Sequence, residues 1–201
     1  MVAEILAEAF PDAHCELDFE NPFELLIATV LSAQCTDERV NQVTPTLFAA
    51  FPDAAALAGA DAEQIEAIIR PLGLFRAKTK AVLGIGAAVT RRFDGLVPGT
   101  LEELTSLPGV GRKTANVVLG NAFGVPALAV DTHVGRVARR LGWTAEEDPG
   151  KVESGIGQLF PPKMWTMLSH RLIFQGRRVC HARKPACGAC RVAALCPSAD
   201  I

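Results

Sequence analysis

Apolar residues recur at spacings of three and four along almost the whole chain, and no segment shows the clear apolar–polar alternation of a half-buried strand. This periodicity predicts an all-α protein. Glycine and proline interrupt the pattern repeatedly, at Pro71 and Gly73, Gly95, Gly142 and the pair Pro161-Pro162. Because such residues end helices, the sequence predicts many short helices instead of one long bundle.

Several predicted helices begin with capping signals. Asn21-Pro22-Phe23-Glu24 places an N-cap residue, a first-turn proline and a capping-box carboxylate in order. The apolar stretch Leu25 to Leu31 follows, so we expect this helix to be buried. Similar signals lie at Thr36 with Asp37 and Glu38, at Asp61 with Gln64, and at Thr100 with Glu103.

Length and composition limit the class of protein. A chain of 201 residues with 49% hydrophobic content is long enough for one large domain or two smaller lobes. The first ten residues contain two glutamates and no basic residue, unlike a secretory signal. The longest apolar stretch without charge, Asn116 to Val130, is broken by glycines and a proline. We therefore expect a cytoplasmic protein with no membrane role.

The net charge of −2 hides a strong asymmetry. Residues 1 to 70 hold 2 basic and 13 acidic side chains, a net charge of −11, whereas residues 71 to 201 hold 18 basic and 9 acidic side chains, a net charge of +9. Lys163 to Arg191 contains seven basic residues and no Asp or Glu. Such a surface can bind an anion such as DNA, although a solvated basic face is the simpler interpretation.

The segment from Leu107 to Asn116, read as LPGVGRKTAN, follows a short capped helix and opens another. Glycines permit a tight turn and close approach, and the N–H groups that begin the second helix attract phosphate. The full string, with Arg112, Lys113 and Thr114 in the first turn, favours a helix-hairpin-helix that binds the DNA backbone. The alternative is an ordinary turn between two helices.

Four cysteines near the C-terminus, Cys180, Cys187, Cys190 and Cys196, have the spacing C-x6-C-x2-C-x5-C. A cytosolic chain has little use for disulfides, so the set predicts a metal or cluster site. Thiolate ligands alone allow zinc or iron. Cys15 and Cys35 lie outside the spacing, and we expect them to behave as small apolar residues.

Leu107 to Asn116, together with Ala129-Val130-Asp131-Thr132-His133-Val134, resembles the signature of the helix-hairpin-helix DNA glycosylase superfamily. The cysteine spacing resembles the iron–sulfur branch typified by the endonuclease III family. The resemblance spans essentially the whole chain. It implies an all-α fold of two helical lobes with a DNA-binding cleft between them. The central lobe is expected at residues 22–130, with the hairpin at about 101–124, and the second lobe at 1–21 plus 131–201.

The resemblance implies that Lys113 and Asp131 are catalytic. Lys113 would attack the sugar carbon that bears the damaged base and form a Schiff base, which permits β-elimination of the strand. Its position in a first helical turn beside Arg112 disfavours the charged ammonium form. Asp131 would accept a proton or stabilise positive charge on the sugar. Taken singly, Asp131 could be only an N-cap and Lys113 only a surface charge.

The same resemblance implies the contacts with DNA. Since the target nucleotide must leave the helical stack, Gln34 would fill the space and the loop Leu74-Phe75-Arg76 would wedge the opposite strand. Phe75 could instead belong to the core. The full set of expected DNA-binding residues is Gln34, Leu74, Phe75, Arg76, Gly109, Val110, Gly111, Arg112, Thr114, His133, Lys184 and Arg191.

The resemblance also identifies the four cysteines as ligands of a 4Fe-4S cluster whose loop, residues 180–196, meets DNA. The expected function is a bifunctional DNA glycosylase and abasic-site lyase of base excision repair that removes oxidised pyrimidines. Its expected partner is double-stranded DNA with a damaged base or an abasic site. We expect a monomer in the bacterial cytoplasm, associated with the nucleoid.

Related classes fit less well. A mismatch adenine glycosylase uses an early glutamate, but Leu26 to Gln34 contains no acidic residue. A thymine-mismatch glycosylase carries tyrosine in place of Lys113, and this chain contains no tyrosine. An 8-oxoguanine glycosylase would lack the cysteines. A noncatalytic DNA-binding module stays an alternative. Thr105 stands where some relatives carry a carboxylate, which leaves the damage preference open.

Overall fold

The computed structural model describes residues 1–200. In that range it contains eleven α-helices and no β-strand, which confirms the all-α prediction. The helices are α1 (Val2–Ala9), α2 (Pro22–Leu31), α3 (Asp37–Ala50), α4 (Ala54–Ala58), α5 (Ala62–Ile69), α6 (Phe75–Arg92), α7 (Leu101–Thr105), α8 (Arg112–Ala122), α9 (Thr132–Arg140), α10 (Pro149–Leu159) and α11 (Trp165–Arg178). Short 3-10 turns lie at Arg70–Leu72, Pro162–Met164, Cys187–Ala189 and Ala193–Leu195.

The capping signals mark real helix starts. The Asn21 side chain accepts a hydrogen bond from the Glu24 amide at 3.0 Å. Thr36, Asp61 and Thr100 cap their helices in the same way. Every residue of α2 after Glu24 is buried, as its apolar sequence predicted.

One compact unit, here called the hairpin unit, runs from Glu16 to Val125. In this unit α6 packs against α4 and α5, while α2 packs against α8. Most buried side chains between these helices are apolar, among them Leu26, Ile65 and Ile85, each with 0% exposure. The central helix α6 packs against α4 and α5, and its Ala81 lies close to Gly109 in the turn between α7 and α8.

The other unit, here called the cysteine unit, combines Met1–Cys15 with the chain from Pro126 onward. Its core joins α1, α9, α10 and α11 through buried residues that include Leu6, Val134, Ile156 and Phe174. Arg178 closes one edge, because it pairs with Asp12 at 2.9 Å and lies over the Phe174 ring. The sequence predicted that the two lobes divide after residues 21 and 130, and these boundaries remain a prediction.

Within residues 1–200, no helix combines the length and apolar character needed to span a membrane.

Candidate active site and cysteine loop

The hairpin between α7 and α8 is fixed by its apolar residues. Leu107 and Val110 are buried, and the Val110 amide donates to the Leu107 carbonyl at 3.2 Å. Gly109 has a φ of +75°, and a Cβ atom there would lie 3.1 Å from the Cβ of Ala81 on α6. Only glycine satisfies both conditions without strain. The tight turn predicted from the sequence is thus present.

The start of α8 is shaped for an anion. Gly111 occupies the N-cap position and supplies no side-chain hydrogen bond, whereas α7 and α9 are capped by Thr100 and Asp131. A helix start without a side-chain cap leaves its N–H groups directed outward, where they can bind a phosphate oxygen. Arg112 and Lys113 are exposed in this first turn, and Thr114 is half-buried.

Gln34 lies in a turn between α2 and α3. Its side chain is exposed and its φ is +55°, a left-handed conformation that is uncommon outside glycine. The Cys35 amide donates to the Ser32 carbonyl at 3.0 Å, which closes the turn. The exposed Gln34 side chain therefore projects from a turn whose backbone is held in a left-handed conformation.

The predicted loop Leu74-Phe75-Arg76 needs correction, because α6 already begins at Phe75. Leu74 precedes the helix with a φ of +47° and 58% exposure. Its side chain makes no capping hydrogen bond, so the usual N-cap signal for a helix start is missing here. Phe75 is half-buried between two guanidinium groups, with Arg70 at 5.3 Å and Arg76 at 5.7 Å from its ring centre. Leu74 is therefore the exposed apolar tip of this turn.

Asp131 starts α9 in the cysteine unit. Its Oδ1 atom accepts a hydrogen bond from the Val134 amide at 2.8 Å, so the capping role foreseen in the sequence is present. His133 follows in the first turn, with its Nδ1 atom 3.1 Å from Nη2 of Arg136. Burial lowers the pKa of His133, and the charge of Arg136 acts in the same direction against the opposing effect of Asp131. The neutral imidazole is thereby favoured.

Two arginines that sequence reasoning missed connect α9 to the cysteine loop. Arg136 donates from Nη2 to the carbonyls of Gly176 and Cys180 at 3.0 and 3.1 Å. Arg140 donates to the carbonyls of His181 and Ala182 at 2.7 and 2.8 Å. The signal was available, because residues four apart lie on one face of a helix. The helix that begins at Asp131 therefore also holds the start of the cysteine loop.

The four cysteines of residues 180–196 line one cavity. Its wall also includes the apolar side chains of Val137, Leu141, Val179 and Val192. All four thiols are free of disulfide bonds. Within residues 1–200, no three His, Cys, Asp or Glu side chains are already grouped closely enough to hold a single metal ion.

Nitrogen donors face two of the cysteine sulfurs. Arg140 donates to Sγ of Cys180, and the buried side chain of Gln175 donates to Sγ of Cys190, each at 3.2 Å. Such donors stabilise thiolate ligands. A shared apolar cavity, four free thiols and these donors fit an iron–sulfur cluster.

The two basic residues expected to meet DNA lie in this same loop. Lys184 is exposed. Arg191 is 58% exposed and its Nη2 atom lies 3.7 Å from a carboxylate oxygen of Glu8. An exposed pair of this kind contributes little to stability, so Arg191 can exchange its partner for a phosphate at small cost.

The expected site residues fall into two sets. The hairpin unit contains Gln34, Leu74, Phe75, Arg76, the hairpin residues and Lys113, whereas the cysteine unit contains Asp131, His133, the cysteines and both loop cations. Sequence reasoning also missed a buried lysine, Lys78, which donates a hydrogen bond to the Leu72 carbonyl just before Leu74.

Residues 27–162 match the family model described as HhH-GPD superfamily base excision DNA repair protein. A solved non-covalent endonuclease III–DNA complex has the same fold, with a TM-score of 0.94 and 46% identity over 98% of this chain and 93% of that one. A trapped endonuclease III–DNA covalent intermediate gives a TM-score of 0.93 at 46% identity, with the same coverage. The fold and the motifs together identify this chain as a helix-hairpin-helix DNA glycosylase of base excision repair.

Residues 180–196 match the iron–sulfur binding domain of endonuclease III, and the chain is 53% identical to Endonuclease III of Synechocystis sp. over 98% of its own length and 90% of that protein. The chain belongs to the endonuclease III family, whose enzymes combine DNA glycosylase activity with cleavage at abasic sites. Endonuclease III of Bacillus subtilis is 45% identical over 95% of this chain and 88% of that relative. The family resemblance inferred from the motifs is confirmed, as is the presence of an iron–sulfur binding domain.

Proposed function

We propose that this enzyme removes oxidised pyrimidines from double-stranded DNA and cleaves the resulting abasic site by β-elimination, with Lys113 as the nucleophile. The observation that carries the proposal is the position of Lys113. Its side chain is exposed in the first turn of α8, directly after the hairpin and at a helix start without a side-chain cap. In a protein of this family, that is where an amine can reach a sugar whose phosphate the helix start holds.

The reaction begins when the uncharged Lys113 amine attacks C1′ of the damaged nucleotide. The bond from C1′ to the base breaks, and the base leaves with the electron pair and takes up a proton. The bond from C1′ to the ring oxygen then breaks, the oxygen gains a proton, and an imine to Lys113 forms. Loss of a C2′ proton breaks the C3′–O bond and releases the phosphate of the cut strand. Water finally hydrolyses the imine and frees the lysine.

Asp131 supplies the carboxylate of the reaction. Its Oδ1 atom caps α9, so the orientation of the group is fixed by the helix before substrate arrives. A fixed carboxylate accepts the proton that the lysine must lose, or stabilises the positive charge that develops on the sugar. Both roles depend on its negative charge.

The remaining expected residues hold and open the duplex. Gly109, Val110, Gly111, Arg112 and Thr114 bind phosphate at the hairpin. Gln34 enters the space left by the extruded nucleotide, and Leu74, flanked by Phe75 and Arg76, separates the opposite strand. His133, Lys184 and Arg191 contact the DNA backbone from the cysteine unit. These contacts are independent of base sequence, as a repair enzyme that searches the genome requires.

Cys180, Cys187, Cys190 and Cys196 would hold a 4Fe-4S cluster. When bound, it would order the loop of residues 180–196, and the proton and bond changes at the sugar would be left to Lys113 and Asp131. The enzyme acts as a monomer on nucleoid DNA in the bacterial cytoplasm.

Borohydride trapping tests the proposal. The enzyme is incubated with duplex DNA that carries an oxidised pyrimidine, and hydride converts the imine into a stable amine link. We expect a covalent adduct that maps to Lys113, no adduct with Lys113→Ala, and a normal adduct with Lys151→Ala, which changes another exposed lysine. No adduct with the parent enzyme, or an undiminished one with Lys113→Ala, overturns the assignment. A parallel panel of duplexes with different lesions tests the preference for oxidised pyrimidines.

A further inference from the structure

Lys78 is the only Lys, Arg, Asp or Glu that is buried within residues 1–200, with 5% exposure. It lies in the first turn of α6, three residues after the helix begins. Burial of an ammonium without a carboxylate partner opposes folding. A buried lysine at this position therefore lowers the stability of the folded protein, which indicates that Lys78 has a role other than stabilising the fold.

The Lys78 ammonium holds the backbone that leads to Leu74. Its Nζ atom donates to the Leu72 carbonyl at 3.0 Å, and Leu72 is itself buried. Beyond that carbonyl the chain passes through Gly73 with a φ of +66° and Leu74 with a φ of +47°. The hydrogen bond therefore fixes the last point before two consecutive left-handed residues.

Burial lowers the pKa of Lys78, while an electrostatic interaction with Cys35 acts in the opposite direction. The direct contact of Lys78 with a strained turn is its hydrogen bond to the Leu72 carbonyl.

Backbone strain is concentrated at the Gln34 turn and the Leu74 turn. Within residues 1–200, only three residues other than glycine have positive φ, and two of them are Gln34 and Leu74. A residue other than glycine with positive φ persists only where its surroundings hold it. Lys78 supplies such support to the Leu74 turn through its hydrogen bond to the Leu72 carbonyl.

We propose that Lys78 is a positioning residue that holds the Leu74 turn in place, so that the Leu74 side chain can enter damaged DNA. This inference rests on the proposed DNA-opening role of Leu74. Lys78 touches neither DNA nor the reacting atoms. Its effect is on how readily the enzyme opens the duplex.

The test uses Lys78→Met, which keeps a similar volume but removes the charge and the hydrogen bond to Leu72. A duplex carries a stable abasic analogue with 2-aminopurine opposite it, whose fluorescence rises when the base leaves the stack. We expect Lys78→Met to lose this rise while its melting temperature and its affinity for undamaged DNA stay near those of the parent. Base release from a damaged duplex should fall about tenfold or more, as for other small misplacements of catalytic geometry.

Lys80→Met, an exposed lysine two residues farther along α6, is the matched control and should behave as the parent. Lys78→Gln retains a shorter donor and should give an intermediate fluorescence rise. A parent-like rise with Lys78→Met overturns the inference. So does a parallel loss of folding or of all DNA binding in both Lys78 variants, because the lysine would then serve the fold as a whole.

Leu74→Ala separates this inference from the proposed function. If Leu74→Ala keeps the full fluorescence rise, the proposed wedge role of Leu74 fails, and the inference fails with it. If Leu74→Ala loses the rise but Lys78→Met retains it, the wedge role survives and only the positioning role of Lys78 is wrong.

Discussion

The Arg140 guanidinium donates a hydrogen bond to the Cys180 sulfur, with 3.2 Å between Nη1 and Sγ. Arg140 is also the last residue of α9, the helix that Asp131 begins. Helix α9 thus begins at a proposed catalytic residue and, at its other end, contacts the first of the four cysteines. Within the cysteine unit, α9 therefore connects the Asp131 carboxylate to the start of the cysteine loop.

We expect Arg140→Met to destabilise the cluster loop, because it removes three hydrogen bonds, one to Cys180 sulfur and two to backbone carbonyls. Each hydrogen bond to a charged group contributes on the order of 1.5–3 kcal/mol before screening by solvent. The visible absorbance of the cluster should decay faster during incubation with an iron chelator. Arg139→Met changes the neighbouring arginine, which bonds only the Glu146 carbonyl among the hydrogen bonds seen, and should decay as the parent does. Equal decay of all three proteins contradicts the prediction.

Asp131→Asn and Asp131→Ala separate the charge of this residue from its capping role. Asparagine caps a helix about as well as aspartate, whereas alanine loses about 1 kcal/mol. We expect Asp131→Asn to keep the stability and DNA affinity of the parent but lose most base release. Asp131→Ala should lose base release and also melt at a lower temperature. An active Asp131→Asn enzyme would refute a catalytic carboxylate.

The two hairpin glycines should respond differently to a methyl group. An alanine at position 109 would have to adopt a φ of +75°, and its Cβ atom would lie 3.1 Å from the Cβ atom of Ala81. Gly109→Ala should therefore destabilise the protein by about 1 kcal/mol or more. At Gly111, a Cβ atom meets nothing within 4 Å, so Gly111→Ala should leave stability unchanged. If phosphate approaches there, Gly111→Ala should still weaken DNA binding. Titration of both variants with undamaged duplex, beside their thermal melts, measures this. If Gly111→Ala binds DNA as tightly as the parent, phosphate does not bind close to Gly111.

Lys184→Ala and Arg191→Ala test the cysteine loop as a DNA contact. Each cation that contacts a phosphate displaces about one counterion from the DNA when the protein binds. Removal of one such contact should therefore make the slope of log affinity against log salt concentration shallower by about 1 per residue. Lesion preference should not change, because phosphate contacts carry no base information. Lys151→Ala removes a cation that already pairs with Glu146 at 3.5 Å and serves as the control. A salt slope equal to that of the parent would show that this loop does not touch DNA.

His170 should make stability depend on pH. Its side chain is 8% exposed, and burial, with a smaller effect of His14, lowers its pKa from 6.5 to about 4. Well above pH 6.5 the side chain is neutral in both the folded and the unfolded state. As the pH falls from there toward 4, only the unfolded chain gains the proton, so up to about 3 kcal/mol of stability is lost.

Chemical denaturation between about pH 7 and pH 5 measures this loss. We expect His170→Gln to flatten the profile relative to the parent, and the exposed His181→Gln to leave it unchanged. The same steep profile in His170→Gln would assign the acid sensitivity to other groups.

The local chemistry of the sequence accounted for much of the structure. The caps at Asn21, Thr36 and Thr100 were predicted because an N-cap bond joins residues only two or three positions apart. Residues 74–76 were predicted to be a loop, although α6 begins at Phe75, for the opposite reason. Leu74 adopts a left-handed conformation without a capping side chain, and the hydrogen bond from Lys78 to Leu72 that supports this turn is not visible as a motif.

The sequence by itself determined the helical fold, the glycine-shaped hairpin and the cysteine spacing, because each depends on neighbours along the chain. Only the tertiary structure decided that Lys78 is buried and bonds the Leu72 carbonyl before the Leu74 turn, and that Arg140 reaches Cys180 forty residues later. Burial and long-range hydrogen bonds depend on how helices pack together. A charged residue can lie on the surface or in the interior with the same local pattern, and its environment alone sets its role.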